Sequence, residues 1–159
     1  MSPPVKAATM DPASADYEAR FSKVWLESTI GVPVTSFCYP YTDAPQVLQS
    51  AVYGAGYKQA RGGRVARPDK FMRRGDGANL LNVTCFHVGP QTVGSVEQWL
   101  HEAMFRDAWL TLMFHGVGDE RKWDNISCID FAGILDKLTS FSTKVVTFAE
   151  GAEWYRSGR

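Results

Sequence analysis

The 159-residue chain has no excess of either charge: seventeen Lys and Arg balance seventeen Asp and Glu. It therefore lacks the electrostatic footprint that nucleic acid or an anionic membrane selects. Its longest apolar runs, such as "AWLTLMF", fall far short of the roughly 20 residues a membrane-spanning helix needs. The N-terminal stretch "MSPPVKAATMDPASADYEARF" has a single Lys and no apolar core, so no signal peptide is read there. The chain as it stands reads as cytoplasmic, and as secreted or envelope-bound if it belongs to a longer protein. Cys38, Cys85 and Cys128 are odd in number and show no CxxC spacing, which excludes a disulfide framework and a thiolate zinc site. There is no GxSxG elbow, and "YGAGYK" follows a helix where a phosphate-cradling loop must precede one.

What is present is globular: 45% hydrophobic and 21% charged residues, enough for one domain with its own core. Residues 1–10 are Pro/Ala-rich and read as a flexible segment, with a single domain over 11–159. Asp11 and Pro12 predict a helix start, and Tyr17, Phe21, Val24, Trp25 and Ser28 give that helix an apolar stripe ending before Gly31. "VPVTSFCY" predicts a strand. A second helix, capped by Asp43 or Thr42, carries Val47, Leu48, Ala51 and Val52, and "YKQAR" predicts the next strand. Residues 62–78 read as a long surface loop. The strand "NLLNVTCFHV" follows, then a helix "SVEQWLHEAMF" with Ser95 and Gln98 at capping-box spacing. The near-continuous apolar strand "AWLTLMFHGV" precedes a helix opened by Ser127 and Asp130, a strand "KVVTF" and a closing helix "AEGAEWYRS". This alternation predicts an α/β architecture with mainly parallel strands.

In such folds functional groups gather where strands end. Tyr39, Pro40 and Tyr41, then Arg61, His87 and His115, fall at those positions. His115 suits proton transfer, or a structural hydrogen bond. Ligand type alone also allows a zinc site from His87, His115 and a carboxylate such as Asp43 or Asp124, although no spacing announces it. His101 reads as solvated. The arginines Arg61, Arg64, Arg67, Arg73 and Arg74 read as anion-gripping or simply solvated.

Two blocks carry a resemblance. "VTSFCYPYTDAPQVLQSAVYGAGYKQARGG" and "WLTLMFHGVGDERKWDNISCIDFAGILDKL" resemble the third and last blocks of the polysaccharide deacetylases, the NodB-like carbohydrate esterases of family four. In that family a strand ends at a Pro-Tyr-Gly corner. The resemblance covers about residues 17–155 and implies a partial (β/α) barrel. It implies removal of N-acetyl or O-acetyl groups from an acetylated polysaccharide with zinc or another divalent metal. His115 would be the general acid, and the backbone N–H of Tyr41 would stabilise the oxyanion, since Pro40 has none. Tyr39, Pro40 and Arg61 would contact substrate, Trp109, Leu112 or Met113 would line the acetyl pocket, and Asp107 would tune His115. The family's Thr-Phe-Asp-Asp-Gly and His-x-x-x-His blocks, which supply its base and metal ligands, do not occur here. The expectation is a chain inactive or nearly so by itself, which either pairs with a second chain or with itself to complete the barrel or folds around the gap. The competing expectation is a non-catalytic carbohydrate-binding or interaction module with Tyr39, Tyr41 and Trp123 as sugar-stacking surfaces.

Overall fold

A computed structural model describes residues 9–62, 71–118, 124–141 and 143–158. These form two compact units. The first comprises the described residues up to 62 together with Ala78–Thr84; the second comprises 71–77 and the described residues from Cys85 onward. No described helix is long and apolar enough to cross a membrane.

In the first unit, helix α1 (Pro12–Ile30) begins where the Asp11 carboxylate accepts from the N–H groups of Ala13 and Ser14. It ends at Gly31, whose φ of 73° is the left-handed geometry that glycine adopts without a Cβ clash. The predicted stripe, however, does not face the core. Ala15 and Ala19 are the buried residues of α1, while Tyr17, Phe21, Val24 and Trp25 are exposed. Small side chains let α1 pack closely against helix α2 (Gln46–Gly54), which buries Leu48, Ala51 and Val52. On the same side, Lys23 pairs with Glu27 at 2.7 Å, and Glu27 accepts the Val34 N–H at 2.8 Å. That pairing draws the returning chain onto α1 as it enters strand β1 (Ser36–Cys38).

Strand β1 runs parallel to β2 (Gln59–Arg61), and Val83 adds a parallel bridge beside Arg61. Neither Asp43 nor Thr42 caps α2. Its first turn starts from Pro45, which sets an extended φ/ψ of −64° and 153° and needs no side-chain cap bond.

In the second unit, β4 (Phe86–Val88) pairs in parallel with β6 (Leu112–Phe114), in the register Phe86 to Leu112, His87 to Met113 and Val88 to Phe114. Strand side chains alternate between faces. Phe86, Val88, Leu112 and Phe114 therefore point together into the core under helices α3 (Val96–Phe105) and α4 (Cys128–Ser140). The opposite face carries Cys85, His87, Met113 and His115, with Cys85 Sγ 3.9 Å from Met113 Sδ.

Several expectations need correction. Part of the 62–78 loop is a strand: β3 (Met72–Arg73) pairs antiparallel with β5 (Ala108–Trp109). The run through 108–117 is broken into β5, β6 and β7 (Gly116–Val117), and β7 pairs in parallel with β8 (Asn125–Ile126). Ser95 makes no cap bond because it sits in a 3-10 turn with helical φ/ψ that runs directly into α3. "KVVTF" forms no strand. Thr147 instead caps helix α5 (Phe148–Arg156) in a reciprocal capping box with Glu150. Ser127 caps α4 as predicted, accepting the Asp130 N–H at 3.0 Å. The mixture of helices and short strands, three of whose four described strand pairs are parallel, is compatible with an α/β architecture. However, β5 to β8 follow one another with no described helix between them, and no barrel is closed among the described residues.

Candidate metal centre

His87 and His115 share one face because each lies an odd step along paired strands: His87 is central in β4, and His115 follows the last residue of β6. Their rings meet edge-on, with centroids 4.7 Å apart and planes at 89°. Two details fix the exit of β4. The Thr92 hydroxyl donates to the His87 carbonyl at 2.9 Å and accepts the Gly89 N–H at 2.9 Å.

The third member, Asp124, immediately precedes β8. Asp124 has φ 67°, a left-handed conformation that aspartate tolerates better than most residues. Parallel pairing of Asn125 with Gly116, and the Gly118 N–H on the Ile126 carbonyl, hold Asp124 beside the strand ends. Two glycines make room. A Cβ at Gly89 would lie 2.5 Å from Asp124 Oδ1, and one at Gly116 would lie 2.2 Å from Asn125 Oδ1.

The result is a His87, His115, Asp124 cluster whose ligand atoms all lie within 4.8 Å of one another. Asp124 Oδ2 stands 2.9 Å from His87 Nε2. Yet the ring N–H direction does not meet the carboxylate, and Nε2, itself shielded from solvent, makes no hydrogen bond among the described residues. A buried nitrogen and a carboxylate oxygen this close without a hydrogen bond between them are unsatisfied, a state that a shared cation would relieve. Zinc–ligand distances of about 2.0–2.2 Å place tetrahedral donors roughly 3.3 Å apart, so modest side-chain rotation closes this set. Two imidazoles and one carboxylate are a zinc-type donor set with a position left for water or substrate.

Asp107 is not the carboxylate at the histidines. It lies in a left-handed turn, φ 45°, between α3 and β5, at the opposite end of the extended run from His115, and its side chain makes no hydrogen bond or ion pair among the described residues. Of the expected pocket residues, Met113 lies on the histidine face. Leu112 points the other way into the helical core. Trp109 packs on Phe148, centroids 5.1 Å apart, and presses on Gly151, where a Cβ would lie 2.4 Å from its ring. It anchors α5. His101 is exposed, edge-on to Phe141 at 4.5 Å. Arg74 stacks over Trp154 at 4.3 Å.

In the first unit, Tyr39 is wholly buried, edge-on to Phe37 at 5.2 Å, so it is core and not a stacking surface. Its hydroxyl has no hydrogen-bond partner among the described residues, and burial pushes the phenol well above its ordinary pKa. Pro40 and Tyr41 are exposed. Pro40 to Asp43 form a tight turn closed by the Asp43 N–H on the Pro40 carbonyl at 3.1 Å, with φ positive at both Tyr41 (55°) and Thr42 (60°). These are the signs of a type I′ turn, which Asn-Gly fills most readily. The Tyr41 N–H has no acceptor among the described residues. Arg61 closes β2, and its guanidinium donates to Cys38 Sγ. Arg64, Arg67 and Trp123 lie outside the described residues.

The chain matches no family model, no curated protein and no solved structure in the comparisons made. Its function therefore rests on the chemistry of its own residues.

Ligand type flagged both histidines and Asp124, with Asp43 as an equal alternative. Gly89 and Thr92 went unflagged. The signal available for them was "HVGPQT", where a small residue and a hydroxyl follow a strand-ending histidine.

Proposed function

We propose that the chain is a divalent-metal hydrolase of the deacetylase type, with His87, His115 and Asp124 as its protein ligands and an acetylated carbohydrate polymer as its substrate. The observation that carries the metal assignment is the convergence of those three donors within 4.8 Å. The two sequence blocks that resemble polysaccharide deacetylases support the substrate class.

A divalent cation in this position supplies Lewis-acid polarisation of an acyl carbonyl and acidifies a water, the two needs of amide hydrolysis. The protein's part is positional. Thr92 fixes the backbone that carries His87, Gly89 admits the Asp124 carboxylate, and Met113 offers an apolar neighbour on the same face for a methyl group. Asp124 Oδ2, 2.9 Å from His87 Nε2, brings the carboxylate in as a co-ligand of the same cation.

This reading changes the role of His115. A nitrogen that gives its lone pair to a cation cannot also carry a proton to a leaving amine, so ligand and general acid exclude one another at that atom. The experiment is acetate release from chito-oligosaccharides with and without zinc, for the wild type and for His87→Ala and His115→Ala. The expected result is zinc-dependent release that both substitutions remove together with zinc uptake. Retention of full zinc uptake by His115→Ala with loss of acetate release would return His115 to the general-acid role. Zinc uptake with no release from any acetylated sugar would overturn the hydrolase assignment.

A further inference from the structure

Helix α1 is apolar on two opposite sides, and the described residues cover only one of them. Ala15 and Ala19 are fully buried against the first unit's core. On the other side Tyr17, Phe21, Val24 and Trp25 are 62%, 54%, 65% and 57% exposed, and Tyr17 stacks on Phe21 with centroids 5.5 Å apart and planes at 14°. A shallow groove runs along this side, lined by Ala13, Tyr17, Phe21 and Val24, with Asp16 and Arg20 at its rim. A contiguous stripe of large apolar side chains on one helix marks a contact surface, whereas scattered ones do not.

We propose that this stripe joins two copies of the chain through antiparallel pairing of their α1 helices about a two-fold axis at Phe21. Three observations favour a second copy. First, the stripe is palindromic: aromatic residues stand at Phe21 and four positions to either side, at Tyr17 and Trp25. An isologous two-fold contact needs such self-complementarity. Phe21 then meets Phe21 of the other copy, and Tyr17 meets Trp25, an aromatic pairing at every level. Second, the area fits. Three aromatics of about 150–250 Å² each, a little over half exposed, plus Val24 give roughly 400 Å² per copy. With the rim included, the total approaches the roughly 1,200 Å² at which specific interfaces begin, which suits a reversible micromolar dimer. Third, the rim is already neutralised. Arg20 pairs with Asp16 at 2.8 Å within the helix, so pairing strands no charge at the edge, and antiparallel helices oppose their dipoles.

The inference is independent of the metal centre, which lies on other elements. Its test is light scattering and sedimentation of the full chain from low to high micromolar concentration, with Phe21→Glu and, as a control on α2, Tyr53→Glu. Both positions are exposed, so circular dichroism should show both variants folded. The expected result is a concentration-dependent dimer that Phe21→Glu weakens by about 100-fold or more, as a central hot spot does, and that Tyr53→Glu leaves unchanged. A second measurement fixes the geometry: with Cys38 and Cys128 replaced by Ser, Phe21→Cys should form a disulfide-linked dimer on mild oxidation and Ala13→Cys should not. A wild type that stays monomeric at high micromolar concentration overturns the proposal, as does a dimer that survives Phe21→Glu. So does a monomer whose stripe binds lipid vesicles or insoluble chitin.

Discussion

At the scale of single residues, the corner at Tyr39 to Thr42 shows how one position can invert an expectation. Three aromatic and cyclic residues after a strand look too many to bury. The structure divides them, putting Tyr39 in the core and leaving Tyr41 on the surface above a turn with two left-handed residues. Thr42 is β-branched, the kind of residue that fits φ 60° worst. Replacing it with Gly should stabilise the protein by about 1 kcal/mol, the left-handed penalty less the chain entropy that glycine adds. Urea unfolding checks this, and an unchanged or lower midpoint would mean the Thr42 hydroxyl, which donates to the Tyr41 carbonyl at 2.5 Å, matters more than the strain. The candidate site was half legible at this scale. His115 stands out because it closes an apolar strand, whereas His87 sits inside the end of its strand and is the weaker signal. Asp124 could not be separated from Asp43, since only the parallel pairing of Gly116–Val117 with Asn125–Ile126 brings it to the histidines.

At the scale of elements, the sequence located helices better than strands. A helix announces itself locally, through Asp11 and Pro12 at one end of α1 and Gly31 at the other, or through Ser127 at the start of α4. Strands here are two or three residues long and exist only by virtue of partners far along the chain, which is why β3 hid inside an apparent loop and "KVVTF" read as a strand. The α1 stripe misled for a related reason: periodicity finds an apolar face but does not say what covers it, and this helix has two. The capping box of α5 yields a prediction at this scale. Thr147→Ala removes the side-chain acceptor for the Glu150 N–H and should cost about 1 kcal/mol by thermal or denaturant melts. The Glu150 carboxylate is held below its ordinary pKa, first by the Thr147 N–H and then by the Thr147 hydroxyl. Its folded pKa lies below the unfolded one, so its contribution is full above the unfolded pKa and is lost as pH falls through the folded value. The melting-temperature gap between wild type and Glu150→Gln should therefore close in acid. A gap that widened on acidification would mean the carboxylate is not the group holding this cap.

At the scale of the whole molecule, two compact units each carry something unspent: an uncovered aromatic stripe on α1 in the first, and three convergent donors at the strand ends in the second. The families of interaction they point to differ, one a second copy of the chain and the other a divalent cation, so they fail or succeed separately. A cation that binds only the folded state raises stability in proportion to the logarithm of its concentration, by about 2.7 kcal/mol at 100 times its dissociation constant. Proton competition for the ligands should weaken that stabilisation as pH falls. The most direct measurement is a calorimetric zinc titration of the metal-free chain alongside His87→Ala, His115→Ala and Asp124→Ala. The account predicts one zinc per chain in the wild type and, for each substitution, a loss in affinity of at least the roughly 10–100-fold that removing even an outer-shell partner costs. Absence of stoichiometric binding in the wild type, or equal binding after all three donors are removed together, would contradict it.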